Sequence, residues 1–389
     1  MSGGVVQLVA TGPQDAWLTG KPEISFFRSN YKRYTHYANS VERQVIQGNP
    51  IAGGISTIRF EKKGDLLSYV YLTAKDSNGS SIALLDWTKV IDKIDLYVGG
   101  QIVDTHDIEY MTDIDPVTGA QNFSQRPLNQ SSTTFNNQKR SFLPIKFFFC
   151  KDWSVCLPLI GLQFHDVELR ITWSSYLNQT VTATGIPSAP TYAGIQYQAW
   201  ANFVYLDQGE RDWFAKTKQD LLITQVQRVV IGTNPIQELA LAQPVKFLAF
   251  ASNNYNTSYA TSSAQCVNLQ LKTQVNGVDV GDSRHLTHWI DVPHYYNTPF
   301  GYVTTTAAGT LATNNVAVIS YCLDTSKLQP TGTLNFSRLD TYRLVVPAAL
   351  TNGLLGLTGP VPYPVNYLYA VSYNIFRIES GLGSLLYAN

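Results

Sequence analysis

From residue 40 onward the chain changes polarity every second residue, and that period limits the open folds more than any other feature. Val41, Arg43 and Val45 alternate with Glu42 and Gln44, and residues 55–61 (ISTIRFE) keep the same rhythm. Segments 67–75, 90–98, 141–149, 163–173 and 199–207 continue it, as do 221–230, 245–251, 267–275, 316–323, 334–346 and 367–378. Successive side chains of a strand point to opposite faces, so this pattern predicts half-buried strands rather than helices. Only 86–90, 107–113 and 209–216 read as short helices. A mostly antiparallel β architecture follows.

Long polar loops interrupt the strands at 113–139, 174–196, 253–265 and 292–315. They are rich in Gly, Pro, Ser, Thr and Asn, and their backbone groups need water or local turns, which puts them on the surface. With 389 residues the chain has room for two to three domains. A short internal echo supports duplication. Leu96-Tyr97-Val98-Gly99-Gly100-Gln101-Ile102-Val103-Asp104 matches Lys272-Thr273-Gln274-Val275-Asn276-Gly277-Val278-Asp279-Val280 in pattern. Each reads as a strand, a Gly turn and a returning strand.

Charge narrows the function classes. Lys plus Arg (28) balances Asp plus Glu (28), so there is no basic field to hold a phosphate backbone and direct nucleic-acid binding is disfavoured. Charged residues make up 14% of the chain against a usual value of about 25%. Tyr (23), Phe (17) and Trp (7) are plentiful, the balance expected of a surface covered by copies of itself. The first basic residue is Lys21 and position 2 is Ser, so neither a secretory signal nor a myristoyl anchor is expected. Apolar runs such as 157–162 and 345–357 are too short or too interrupted to span a bilayer. Cys150, Cys156, Cys266 and Cys322 lack paired C-x-x-C spacing, which points to buried small hydrophobes.

Five stretches carry a family resemblance. They are the arm QLVATGPQDAWLTGKPEISFFRSNYKRYTHYA, then LPLIGLQFHDVELRITW, YLDQGERDWFAK, GTLNFSRLDTYR at 332–343, and the glycine-punctuated end from Tyr369 to Tyr387. Together they resemble the major capsid proteins of nucleocytoplasmic large DNA viruses, while the long loops match nothing obvious. The resemblance implies an all-β chain of two tandem eight-stranded antiparallel jelly rolls with few short helices. It divides the chain into an N-terminal arm (1–25), a first jelly roll (26–208), a linker helix (209–218) and a second jelly roll (219–389). It further implies a homotrimer forming pseudo-hexagonal capsomers of an icosahedral shell, assembled in the host cytoplasm. The expected partners are further copies, neighbouring capsomers, and minor capsid and penton proteins. Nucleic acid would not be contacted directly, the internal membrane only indirectly, and no cofactor would be needed. The arm is expected at the inward base of the barrels.

Motifs that carry chemistry are scarce. Cupin-type sites need a His-x-His pair and Fe(II) oxygenases a facial triad. No two of the six histidines stand two residues apart, and the one cluster is His285, His288 and His294 with Asp282 and Asp291. Residues 286–290 read as strand, where side chains three apart face opposite sides. No paired glycosidase carboxylates, G-x-S-x-G elbow or P-loop occur. Six N-x-S/T sequons fall at Asn78, Asn122, Asn129, Asn178, Asn256 and Asn335. Asn122, Asn129, Asn178 and Asn256, in the loops, are the candidate glycan sites, with Asn335 expected in a strand and unmodified. The rival reading is a carbohydrate-binding or carbohydrate-active β-sandwich that stacks sugars on exposed Trp and Tyr; a jelly-roll metalloenzyme comes third.

Overall fold

The computed structural model describes residues 12–75, 90–119, 142–175, 194–231, 236–251, 270–299, 316–345 and 366–387, together with 4, 79, 87, 177, 234, 303–305 and 311–313. The chain divides into two compact units, 1–36 and 37–389. In the first, the single helical turn Ala16–Thr19 follows Asp15, whose carboxylate accepts the Gly12 N–H at 2.6 Å. Among the described residues no helix is long and apolar enough to cross a membrane.

The larger unit is built from strands that repeat one plan. Its first half holds β1 (Tyr37–Gln44), β2 (Ile55–Arg59), β3 (Leu66–Lys75), β4 (Ile91–Val98), β5 (Gln101–Asp107), β6 (Phe142–Pro144), β7 (Val167–Trp173) and β8 (Gln196–Leu206). The second half holds β9 (Gln219–Ile231), β10 (Ile236–Glu238), β11 (Pro244–Ala251), β12 (Gln270–Val275), β13 (Val278–His285), β14 (Val316–Ser320), β15 (Tyr342–Val345) and β16 (Asn366–Glu379). The sheets run β1-β8-β3-β6 and β2-β7-β4-β5, then β9-β16-β11-β14 and β10-β15-β12-β13. Adding eight to each label of the first half reproduces the second, and every pairing is antiparallel. This interleaved strand order is that of a jelly roll, twice over. Two-residue strands at Ile46–Gln47, Leu157–Pro158 and Leu334–Asn335 and the hairpin return Leu382–Leu385 extend the edges.

Alternation explains the cores. Along β3, Leu67, Val70, Leu72 and Ala74 point inward to meet Val167, Leu169, Ile171 and Trp173 of β7, while Tyr69, Tyr71 and Thr73 point out. Each fully buried Val, Leu or Ile among them contributes about 1.5–3 kcal/mol. A second core gathers Val245, Leu248, Phe250, Leu344, Leu368 and Ala370. The helix expected at 209–216 is present as Gln208–Lys216, and its Phe214 packs against Leu66, Cys156 and Val204.

Several expectations need correction. Residues 334–346 are not one strand. Asn335 ends a two-residue strand and its Oδ1 accepts the Ser337 N–H at 3.1 Å, capping a 3-10 turn (Phe336–Arg338) that buries Phe336. Of 142–149 the strand takes only Phe142–Pro144; the Ile145 N–H still donates to the Val70 carbonyl at 2.9 Å, and the chain then turns inward to bury Phe147, Phe148 and Phe149. Residues 286–290 are helical. The helix Leu286–Tyr296 buries Ile290 and Pro293 along one side, and that period overrides the strand-like composition. It also takes up the start of the loop expected at 292–315, which further contains the pair Val303–Thr305 and Leu311–Thr313. The helix expected at 107–113 is present as a π-turn (Tyr110–Ile114) running into Asp115–Thr118, so the loop expected from 113 starts later. Most of 86–90 lies outside the described residues.

Candidate functional site

Among the described residues, the cluster of His285, His288 and His294 singled out from sequence does not converge with Asp282 and Asp291 on one point. His288 sits one turn into its helix rather than on a strand, and Arg284 Nη1 lies 2.7 Å from its Nε2. Burial and that guanidinium both lower the His288 pKa, so a cation already occupies the nitrogen a metal would take. His294 is half-buried, and its burial lowers its pKa too. Among the described residues no three His, Cys, Asp or Glu side chains converge as metal ligands. Cys150, Cys156 and Cys322 are buried and unpaired, and burial raises the Cys156 thiol to about 12, which leaves it inert at neutral pH. Asn122, Asn129, Asn178 and Asn256, like Asn78 and Cys266, lie outside the described residues.

What the fold does build is a seam between its halves. The turn Gly99-Gly100, with φ of 58° and 82°, folds β5 back along β4 and presents its far edge to β9. There Asp104 Oδ1 accepts the Val226 N–H at 3.0 Å, and the Gln225 amide donates to the Val103 carbonyl. Asp107 Oδ2 accepts from Arg228 Nη1 at 3.0 Å and from the Tyr369 hydroxyl at 3.3 Å. Burial pushes the Asp107 carboxyl above its ordinary value even with that guanidinium beside it. His106 stacks on Phe147 with ring centroids 4.5 Å apart. The helical turn after β5 then inserts Tyr110, Met111, Ile114 and Val117 into one continuous core with Phe247, Ala249, Val316, Val318, Tyr369 and Val371. Those six residues form the outward face of the β9-β16-β11-β14 sheet, opposite the face that packs on Val245, Leu248 and Phe250. At the end of this turn Asp115 meets Lys146 at 2.6 Å and Lys151 at 3.6 Å. Burial alone would raise its pKa, but the two ammonium groups outweigh it and hold the carboxyl at about 2.

The same parts recur in the second half, and among the described residues they stay exposed. The turn Asn276-Gly277, with φ of 50° and 80°, sends β13 back along β12, and Val278 and Val280 remain 69% and 56% exposed. On the helix that follows, Tyr295 and Tyr296 are 80% and 72% exposed. In the first half, the outward face of β1-β8-β3-β6 carries linked aromatic rings. Tyr71 stacks between Tyr69 and Trp200 at 6.3 and 6.5 Å and tilts against Phe142 at 5.2 Å. Trp153, 52% exposed, meets Tyr69 edge-on. Sequence reading missed the seam residues. Its trace was the echo ending in Val103-Asp104, which located the hairpin without saying what would lie on it.

Comparison with known proteins accounts for this architecture. Residues 25–207 match the family described as "Major capsid protein N-terminus", and residues 210–384 match "Large eukaryotic DNA virus major capsid protein". The chain is 28% identical to the major capsid protein of Pyramimonas orientalis virus and 29% identical to that of Paramecium bursaria Chlorella virus 1, in each case over the whole of both chains. The fold superposes on the PBCV-1 virus capsid with a TM-score of 0.73 at 24% identity, covering 94% of this chain and all of that one. It also matches the Faustovirus major capsid protein with a TM-score of 0.60. The curated relatives are components of the virion shell. With both halves matched in order and the doubled jelly roll in place, the chain belongs to the major capsid proteins of large eukaryotic DNA viruses.

Proposed function

We propose that this capsid protein works as a homotrimer, a pseudo-hexagonal capsomer that tiles an icosahedral shell and performs no catalysis. The observation that carries this reading is the doubled strand order, which gives each chain two similar bodies, so that three chains present six. A ring of this kind needs a repeated, specific protein–protein contact, and low charge with plentiful aromatics suits such surfaces. In this reading the barrels span 26–208 and 219–389, joined through 209–218, and the arm at 1–25 lies at the inward base. There it meets minor capsid proteins and reaches the internal membrane only through them. The outer face is formed by the long loops, with glycans, where present, at Asn122, Asn129, Asn178 or Asn256. Penton and minor capsid proteins complete the shell, without direct nucleic-acid contact or a cofactor.

Light scattering on dilute purified protein is the test. A particle of three chains is expected, and a stable monomer that unfolds cooperatively would overturn the reading. The rival, a sugar-binding β-sandwich, draws on the ring cluster of Tyr69, Tyr71, Trp153 and Trp200. It requires a monomer that binds a glycan array.

A further inference from the structure

The turn between β12 and β13 carries a bond pattern that turn geometry alone does not call for. Hairpin turns with positive φ at both central positions favour Asn-Gly, and Asn276 and Gly277, at 50° and 80°, fit that preference. Backbone conformation therefore accounts for the residue types. It does not account for the Asn276 side chain, whose Oδ1 accepts two backbone N–H groups from a distant segment, Asp340 at 3.0 Å and Thr341 at 3.2 Å. The Asn276 N–H donates in turn to the Thr341 carbonyl at 2.8 Å. The chain just before β15 thus closes around one side-chain amide.

Two N–H groups converging on one carbonyl oxygen are the arrangement that stabilises an oxyanion when a nucleophile adds to the carbonyl carbon. The nucleophile is the next residue. Gly277 has no side chain to shield its nitrogen, and among the described residues that N–H has no acceptor. The leaving group is free as well. Asn276 Nδ2 makes no hydrogen bond among the described residues, and both residues are exposed, so ammonia can depart into water and water can reach the carbon it leaves.

We propose that Asn276 is a self-modification site, at which Gly277 displaces ammonia from the side-chain amide while the Asp340 and Thr341 N–H groups hold the charge that develops on Oδ1. The Gly277 nitrogen gives its proton to solvent and bonds to Cγ. The bond from Cγ to Nδ2 then breaks, the nitrogen leaves as ammonia, and a succinimide remains. Water adds to one of its two ring carbonyls and opens it to an aspartyl or an isoaspartyl residue, with no oxidant or reductant taking part. The products differ in consequence. An aspartyl carboxylate accepts the same two N–H groups more strongly, because it is charged. An isoaspartyl residue lengthens the backbone of the turn, and since loop length fixes hairpin register, the pairing of Val275 with Val278 is disturbed. Either product adds a negative charge to a hairpin that already carries Asp279.

The test is a time course on the full-length protein at mildly alkaline pH, digested and read by mass spectrometry for loss of the Asn276 amide and for isoaspartate. The same chain in guanidinium chloride gives the rate without the two donors, and its Asn78-Gly79 and Asn352-Gly353 pairs calibrate an unheld Asn-Gly. Native protein is expected to convert Asn276 faster than denatured protein, by about fivefold for each donor of ordinary hydrogen-bond strength. A native rate at or below the denatured rate would overturn the inference. Asp340→Pro removes one donor, and Leu339, at φ −93° and ψ 133°, already has the conformation that a residue before proline adopts. If this variant folds, it should slow the native reaction about fivefold, and an unchanged rate would also overturn the inference. If it does not fold, the comparison of native with denatured protein decides alone.

Discussion

Two hairpins of the same design meet opposite fates in this chain. The β4–β5 hairpin ends in acids that the next half receives through Val226, Arg228 and Tyr369, and its following turn is buried. The β12–β13 hairpin has the same kind of turn and is followed by a longer helix, yet its returning strand is exposed along most of its length. Its Asp279 is engaged by Lys272 and Gln274 from its own hairpin. The same backbone geometry therefore serves as a fixed joint in one place and a free edge in the other. The side chains, and the presence or absence of a neighbour, decide which.

The largest way to break the joint is at Lys146. Lys146→Met removes the nearer of the two ammonium groups from the buried Asp115 carboxylate and leaves Lys151 at 3.6 Å, and removal of one partner of a buried pair costs about 3–5 kcal/mol. Urea unfolding should show it. The pair also sets an acid limit. Asp115 has a folded pKa of about 2, below its ordinary value of 3.8, so its stabilisation is full above the ordinary value and is lost as pH falls toward 2. Lys146→Met should flatten that acid dependence.

Next comes the packing of the two helices. Ile114→Ala opens a cavity in the shared core and should cost about 2–4 kcal/mol. Val292→Ala, on the half-open counterpart, should stay within about 0.5 kcal/mol in protein diluted to single chains. Equal losses at both positions would mean that the second helix is not a free surface.

A smaller effect is expected at Arg228. Arg228→Ala leaves the buried Asp107 with the Tyr369 hydroxyl, at a cost of about 1–3 kcal/mol. Solvent at the half-exposed guanidinium keeps the loss toward the lower end. Because the folded pKa of Asp107 is raised, the native state holds its proton to higher pH than the unfolded chain, and stability falls as pH rises from 3.8 through the folded value. Without Arg228 that decline should extend to higher pH. The smallest contrast lies in the turns. A Cβ at Gly99 would run into the His165 ring in addition to the strain of its positive φ, while a Cβ at Gly277 meets nothing within 4 Å. Gly99→Ala should therefore lower the melting temperature more than Gly277→Ala, whose cost is about 1 kcal/mol from strain alone.

Much of the fold was legible because it rests on local periodicity. The strands at 67–75, 199–207, 221–230 and 367–378, the helix at 209–216 and the echoed hairpins were all read from alternation and turn residues, and the structure contains them. What failed did so where long-range burial overrode local pattern. The run at 147–149 has strand-like residues but is drawn whole into the core, and His288 lies in a helix whose buried side includes Ile290 and Pro293. The seam was illegible for a related reason. Asp107 and Arg228 stand 121 residues apart, and no local pattern announces a partner at that distance.

The pairing of β9 with β16 has a consequence for synthesis. All thirteen residues from Gln219 to Ile231 find their partners between Asn366 and Ile378, near the end of the sequence. The second half cannot close its sheet until those last strands leave the ribosome. The first half can complete its own pairing once residue 206 has emerged, yet Met111, Ile114 and Val117 still lack their apolar cover. At about 5–20 residues per second the wait from residue 206 to residue 379 is on the order of 10–35 s. Throughout that interval the nascent chain presents an apolar helical turn and an unpaired strand edge beside other chains of the same sequence, and protection of these two surfaces during translation becomes a requirement for making the protein in quantity.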